Sequence, residues 1–142
     1  MAGRPALRWA VLIFDLEPVT GHEQGGERRG LIVSYEPLHA SGVVAVCPIT
    51  SARDKPARPG EIAIKAGQAG QTKDGLILVH QLRTLSVLRA RRMLESSGPV
   101  GHLTEPALRA EVREALAVHL GLDIPGVEDG ASQDDYFGPY SR

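Results

Sequence analysis

Up to Leu82 the apolar positions of this chain fall in short, strand-length runs; after Thr84 they recur at helical spacing. Arg8 to Leu16 (Arg-Trp-Ala-Val-Leu-Ile-Phe-Asp-Leu) is apolar and β-prone, which predicts a first strand. Gly30 to Tyr35 predicts a second. Gly42 to Ile49 predicts a third, with Pro48 near its end, where a missing N–H is tolerable. Glu61 to Lys65 alternates polar with apolar, the mark of a half-buried strand, and Leu76 to Leu82 predicts another. The charged, proline-containing Arg53 to Pro59 and the Gly/Gln/Lys stretch from Gly67 to Gly75 read as loops.

Beyond Thr84, Val87, Leu88, Arg91, Arg92 and Leu94 predict a short helix or helical turn, and Pro99 to Leu103 a last short strand. The clearest helix runs from Thr104 to Leu120, with Thr104 as N-cap, Glu105 and Pro106 in the first turn, and Gly121 as its stop. Leu108, Val112, Leu116 and Leu120 form one row, joined by Ala115. Such a helix needs a sheet to cover. Five or six short strands followed by one helix predict a mainly β (α+β) fold, a small barrel or curled sheet. The lack of β-α alternation disfavours a parallel sheet.

The length of 142 residues favours one compact domain, expected over 1–122. No apolar run approaches the roughly 20 residues of a membrane helix, and no signal-peptide pattern opens the chain, so a cytoplasmic protein is expected. The lone Cys47 lies in an apolar run and reads as a buried thiol. The net charge of −1 is unevenly spread: residues 1–122 carry 15 Lys/Arg against 12 Asp/Glu, a net +3. Residues 123–142 set Arg142 against Asp123, Glu128, Asp129, Asp134 and Asp135, a net −4. This acidic tail lacks periodicity and is expected to be disordered.

Candidate chemistry concentrates in Gly21-His22-Glu23-Gln24-Gly25-Gly26-Glu27-Arg28, a glycine-rich connection longer than a hairpin needs. Loops lie on the surface and often carry function, so this stretch reads as a site. His39, His102 and His119 have no metal-ligand spacing with carboxylate or cysteine support, and neither metal nor cofactor is expected. Trp9 and Tyr35 read as core or dimer residues. Arg89, Arg91 and Arg92 read as a solvated helix face, with RNA contact as the sharper alternative.

Three blocks in order resemble the MazF/PemK (Kid-type) toxins of bacterial toxin–antitoxin pairs. They are Pro18 to Arg28 followed by Leu31-Ile-Val, then Pro48-Ile-Thr50-Ser, then Leu78-Val-His80-Gln81-Leu-Arg83-Thr84. The resemblance covers roughly residues 8–121. It implies a small SH3-like β-barrel of the type shared with gyrase-poison toxins (CcdB/PemK-like) and closed by a C-terminal helix. It implies a homodimer, an antitoxin partner (and DNA only indirectly, through the antitoxin complex), and cleavage of single-stranded RNA, including mRNA, at short motifs.

That reaction runs without metal when the RNA's own 2′-hydroxyl attacks the adjacent phosphate. It needs a base, an acid and donors for the phosphorane charge. By the resemblance Arg28 and Thr50 are catalytic: the arginine fork matches phosphate oxygens and stays charged, which favours an electrostatic role. The Thr50 hydroxyl donates to phosphate or orients Arg28. His22 is the natural titrating group. His80 stands where relatives often carry a carboxylate, and a neutral imidazole can also accept a proton. Glu23, Gln24, Arg29, Gln81 and Arg83 are the expected RNA contacts, with Glu23 and Gln24 also shaping the loop. Arg29-Gly30 departs from the proline-aliphatic pair usual in relatives, adding a cation while weakening the strand start.

Two other functions stay open on the sequence. One is a same-fold toxin that binds a protein such as gyrase. The other, motivated by His80, is a member that binds antitoxin or nucleic acid without cutting. The acidic tail carries a further hypothesis, that it lies across the basic cleft as an RNA mimic.

Overall fold

The computed structural model describes residues 5–16, 20–21, 26–52 and 56–122. Seven strands form one antiparallel, curled sheet: β1 (Ala10–Asp15), β2 (Glu27–Ile32), β3 (Val43–Ser51), β4 (Glu61–Ile64), β5 (Gly75–Leu78), β6 (Arg83–Ser86) and β7 (Gly101–His102). Two helices follow the sheet's main strands, α1 (Val87–Ser97) and α2 (Pro106–His119). The strand order is β4-β5-β3-β2-β1-β7, with β6 also paired to β3. The mainly β (α+β) expectation with a C-terminal helix holds, as a half-barrel. Among the described residues β4 and β7 end the ladder unpaired with each other. The turn at 68–70 bridges their gap, and glycines make that approach possible: a Cβ on Gly70 would stand 2.0 Å from the Val100 carbonyl oxygen.

β3 organises the sheet. One edge pairs with β2; along the other, Val43–Val46 pair with β6 and Ile49–Ser51 with β5. Val33 N–H donates to the Ala45 carbonyl, so by alternation Cys47 and Ile49 also address β2 while Pro48 faces the opposite edge. There Pro48 falls between the two partners, where no ladder bond is lost. The proline is thus internal to a strand that runs two residues past the predicted Ile49, and its position marks where the edge partner changes.

Both faces of the sheet are covered, which explains why β1 is continuously apolar. Val11, Leu31, Val33, Cys47, Ile49 and Ile77 form one core with Leu108 and Val112 of α2. Leu12, Phe14, Ile32, Val44, Val46 and Leu85 form a second with Ala90 of α1. Burying each such side chain contributes about 1.5–3 kcal/mol. Cys47 is a buried thiol as expected, and burial pushes its pKa up to about 12.

Several boundaries move. β2 begins at Glu27, inside the predicted loop, and stops at Ile32. The predicted strand Leu76–Leu82 is β5 to Leu78, then a 3-10 turn over Val79–Gln81, and a separate β6 follows. The Ser86 hydroxyl caps α1 by accepting the Leu88 N–H at 3.2 Å. α2 starts at Pro106 with Glu105, not Thr104, at the N-cap position, and no side chain caps it there. Proline at N1 supplies the helical φ and has no N–H to satisfy. Leu120 lies past the last helical residue and is 58% exposed, so the apolar row ends at Leu116.

The N-terminal segment is tied down by polar bonds. Glu36 Oε1 accepts the Leu7 and Arg8 N–H groups at 2.9 and 2.7 Å. Its other oxygen lies 3.5 Å from Nδ1 of buried His39, whose Nε2 meets Ser34 Oγ at 2.6 Å. Trp9 is core, with the Arg8 and Arg109 guanidinium carbons 4.9 and 5.2 Å from its ring centroid. Tyr35 is not core: it is 58% exposed.

Candidate functional site

A cleft of about 270 Å³ opens where β2 begins, β3 ends and β5 starts. Glu27, Arg28, Arg29, Thr50, Ser51, Gln71, Lys73 and Asp74 line it. The ladder register explains the meeting of distant segments. Arg29 pairs with Ile49, so continuing the register one step puts Arg28 opposite Thr50. Alternation puts both on the face of Gly30, Ile32 and Val46, where directly opposite side chains are about 5 Å apart at Cβ. The β3–β5 pairing, Ser51 with Gly75, brings in the residues just before Gly75.

Gly30 has a reason to be glycine. A Cβ there would stand 2.5 Å from the Val46 side chain and 2.9 Å from the Phe14 ring. Phe14 pairs with Arg28 across the β1–β2 ladder, so its ring covers the glycine beside the arginine. The residue expected to weaken the strand start lies inside the strand and lets an aromatic ring close over it.

Arg29 projects to the opposite face. Its Nη1 donates to Gln71 Oε1 at 3.0 Å, and Gln71 Nε2 donates to the Ala69 carbonyl at 3.0 Å. Lys73 adds a third cation to the cleft. Of the acids, Asp74 has its oxygens engaged outside this pair of arginines: Oδ1 accepts the Ala66 N–H at 3.0 Å and Oδ2 lies 3.6 Å from Lys65 Nζ. The Ala66 N–H and the Lys65 charge hold its carboxyl below the ordinary value. The arrangement can bind an anion, with a hydroxyl and a guanidinium converging from one face.

The other expected residues are placed as follows. His22, Glu23 and Gln24 lie outside the described residues, as does the acidic tail. His80 does not line the Arg28–Thr50 cleft: it borders a separate groove of about 380 Å³ against α2, with Gly60, Glu111 and His119. Its Nδ1 is 3.3 Å from the Gly60 carbonyl oxygen. The block that carries it turns through the 3-10 segment, which aims His80 away from the strand end. Gln81 is half-buried in the same turn. The Arg83 guanidinium donates to the Leu16 carbonyl, bracing the end of β1. In the α1 cluster, Arg89 donates to the Asp15 carbonyl and Arg91 to that of Pro5 at 2.7 Å, while Arg92 is exposed. Those two arginines fasten the helix to the N-terminal segments and are not a plain solvated face.

Sequence reasoning missed Gln71, Lys73 and Asp74 as parts of the cleft. The stretch was legible as a loop; the signal that places it is the pairing of β5 with the end of β3.

Comparison with known proteins agrees with this architecture. The family model for PemK-like, MazF-like toxins of type II toxin–antitoxin systems matches residues 7–120, and the chain belongs to that family. A curated relative, Endoribonuclease MazF of Staphylococcus saprophyticus, is 33% identical over 116 residues, 81% of this chain and 91% of that protein. The crystal structure of MazF (form I) from Deinococcus radiodurans is similar at TM-score 0.58 and 27% identity, covering 81% of this chain and 96% of that one. A MazE–MazF structure (form II) from the same organism matches at TM-score 0.57 and 28% identity, covering 86% and 100%. No helix among the described residues is long and apolar enough to cross a membrane.

Proposed function

We propose that this toxin is an endoribonuclease that cuts single-stranded RNA by attack of the 2′-hydroxyl on the adjacent phosphate, arresting translation through its action on mRNA. The observation that supports the reading is that Arg28 and Thr50 line one cleft together with Arg29 and Lys73. It is supported by family membership and by the endoribonuclease to which the chain is similar.

In this mechanism the scissile phosphate sits between Arg28 and Thr50. As the 2′-oxygen bonds to phosphorus, negative charge grows on the non-bridging oxygens, and the guanidinium neutralises it. The Thr50 hydroxyl donates to one of those oxygens; it is too weak an acid or base to shuttle the proton unaided. The 2′-hydroxyl gives its proton to a base as the O2′–P bond forms, the P–O5′ bond breaks, and O5′ takes up a proton, leaving a 2′,3′-cyclic phosphate and a 5′-hydroxyl. His22, six positions before Arg28, is our candidate for proton transfer, since an imidazole titrates near neutral pH. We assign His80 no part in this step, since among the described residues it lines the α2 groove and not the Arg28–Thr50 cleft. The 1–122 segment acts as a single toxin domain with 123–142 as an appended acidic tail. The chain works as a homodimer in the cytoplasm and is inhibited by a MazE-type antitoxin. The solved MazE–MazF assembly supports the last point.

The test is incubation of the protein with a long single-stranded RNA in EDTA, beside a DNA strand of the same sequence. Discrete RNA fragments with 5′-hydroxyl and cyclic phosphate ends, and an intact DNA strand, are expected. Cleavage of the DNA strand, or an uncut RNA from about pH 5 to 9, overturns the reading.

A further inference from the structure

We propose that Gln71 holds Arg29 in place and that Arg29 and Lys73 form a second phosphate subsite beside the Arg28–Thr50 pair. The cleft would then grip a single strand by a phosphate flanking the one that reacts. This rests on reading the cleft as an RNA site.

Gln71 is 6% exposed, and its amide is fixed at both ends. Because Nε2 donates to the Ala69 carbonyl, Oε1 is left to face Arg29, which settles which end of the amide meets the guanidinium. Burying a primary amide costs desolvation that an aliphatic side chain would not incur, so packing alone does not account for it. Its turn is rigidly seated: Gln71 N–H donates to the Gln68 carbonyl at 2.9 Å, Gly67 N–H to the Gln71 carbonyl at 2.7 Å, and Gly70 abuts Val100. Gln71 therefore orients Arg29 from the end of this seated turn.

Adjacent strand residues point to opposite faces, so Arg28 and Arg29 cannot serve one phosphate oxygen pair together. Both line the cleft, one from each face of the strand end. The bond to Gln71 uses one N–H of the Arg29 fork and leaves the rest of its planar array for an anion. Gln71 is neutral, so it positions the guanidinium without cancelling its charge, as a glutamate would. Lys73, two residues on and exposed, supplies the second cation of the same wall. A strand with a phosphate on every nucleotide can meet both cationic points that line the cleft.

The probe is a fluorescent 2′-O-methyl copy of a strand that the wild type cuts, which binds without reacting. Its affinity is measured by anisotropy across a salt series for wild type, Arg29→Ala, Arg29→Lys, Lys73→Ala and Gln71→Glu. Arg29→Ala and Lys73→Ala are expected to lower affinity about tenfold at low salt, each reducing the salt slope by roughly one phosphate contact. Gln71→Glu, whose carboxylate would pair with Arg29, is expected to do the same, with Arg29→Ala adding little in its background. Arg29→Lys should keep most of the slope. In cleavage assays these losses should appear more in KM than in kcat, as for contacts made equally before and during reaction. If Gln71 and Arg29 merely latch the turn to the sheet, their variants melt lower and bind with the wild-type slope; that result overturns the subsite. Lys73→Ala, at an exposed position, keeps the test valid if a Gln71 variant folds poorly. A wild type that cuts RNA while all variants bind normally defeats the subsite and leaves the ribonuclease reading standing. A wild type that neither binds nor cuts any single strand defeats both.

Discussion

Arg28 and Thr50 are the next residues beyond Arg29–Ile49, the pair that ends the β2–β3 ladder, and both line one cleft. Their separation in sequence hides this. A hydroxyl and a guanidinium on one cleft can together bind an anion, and each can be removed separately.

Thr50→Val keeps the β-branched shape and removes the hydroxyl. Loss of one phosphate donor is expected to lower kcat for RNA cleavage about 10²-fold or more. Melting temperature should stay within a few degrees of wild type, since Thr50 is only half-buried. A kcat near wild type would show that the hydroxyl does not touch the reacting phosphate.

Gly30→Val would drive a side chain into Val46 and the Phe14 ring. Overpacking of this kind costs about 1–3 kcal/mol. Because Phe14 pairs with Arg28, the same variant should lose activity beyond its loss of stability. Thermal melts and cleavage rates at a temperature where both proteins are folded separate the two effects.

Glu36 should make stability sensitive to acid. Burial by itself would raise its carboxyl, but the Arg8 and Leu7 N–H groups and His39 outweigh that and hold it below the ordinary 4.5. A folded pKa below the unfolded one stabilises above the unfolded value and loses that contribution as pH falls through the folded one. Glu36→Gln is expected to melt a few degrees lower at pH 7, for about 1 kcal/mol at a partly exposed site. The gap from wild type should narrow as pH falls below the ordinary 4.5 and through the lowered folded value. A gap that stays constant with falling pH would assign the loss to packing.

Cys47 should be inert in the native protein. With its thiol pushed to about 12 by burial, it carries almost no thiolate at pH 8. Iodoacetamide is expected to label it only after denaturation, which mass spectrometry reads directly. Rapid labelling of native protein would mean that the β3 core opens readily.

Much of this fold was legible along the chain because β1 and β3 are strand-length apolar runs and α2 carries an apolar row at helical spacing. What was hidden depended on pairing. Glu27 to Arg29 read as loop by their charge, and only the partners β1 and β3 draw them into a strand. Leu76 to Leu82 read as one strand, but a 3-10 turn over Val79–Gln81 ends β5 at Leu78 and starts a separate β6 at Arg83. For the proposed site, the motifs point to Arg28 and Thr50, and both line one cleft. His80 belonged to an equally good motif, but the turn that follows β5 sends it to the α2 groove. Gln71 and Lys73 lay in a stretch with no chemical signature of its own; the β3–β5 register alone makes them neighbours of Thr50.

The most direct test of the central claim is single-turnover cleavage of one mapped RNA site by wild type, Arg28→Ala, Thr50→Val and the double variant. If the two residues hold the same phosphate, Arg28→Ala lowers the rate by about 10²–10³-fold. The double variant then loses much less than the product of the single losses, as residues acting as a unit do. Arg28→Ala cutting at the wild-type rate, or two losses that simply multiply, would contradict a shared Arg28–Thr50 site.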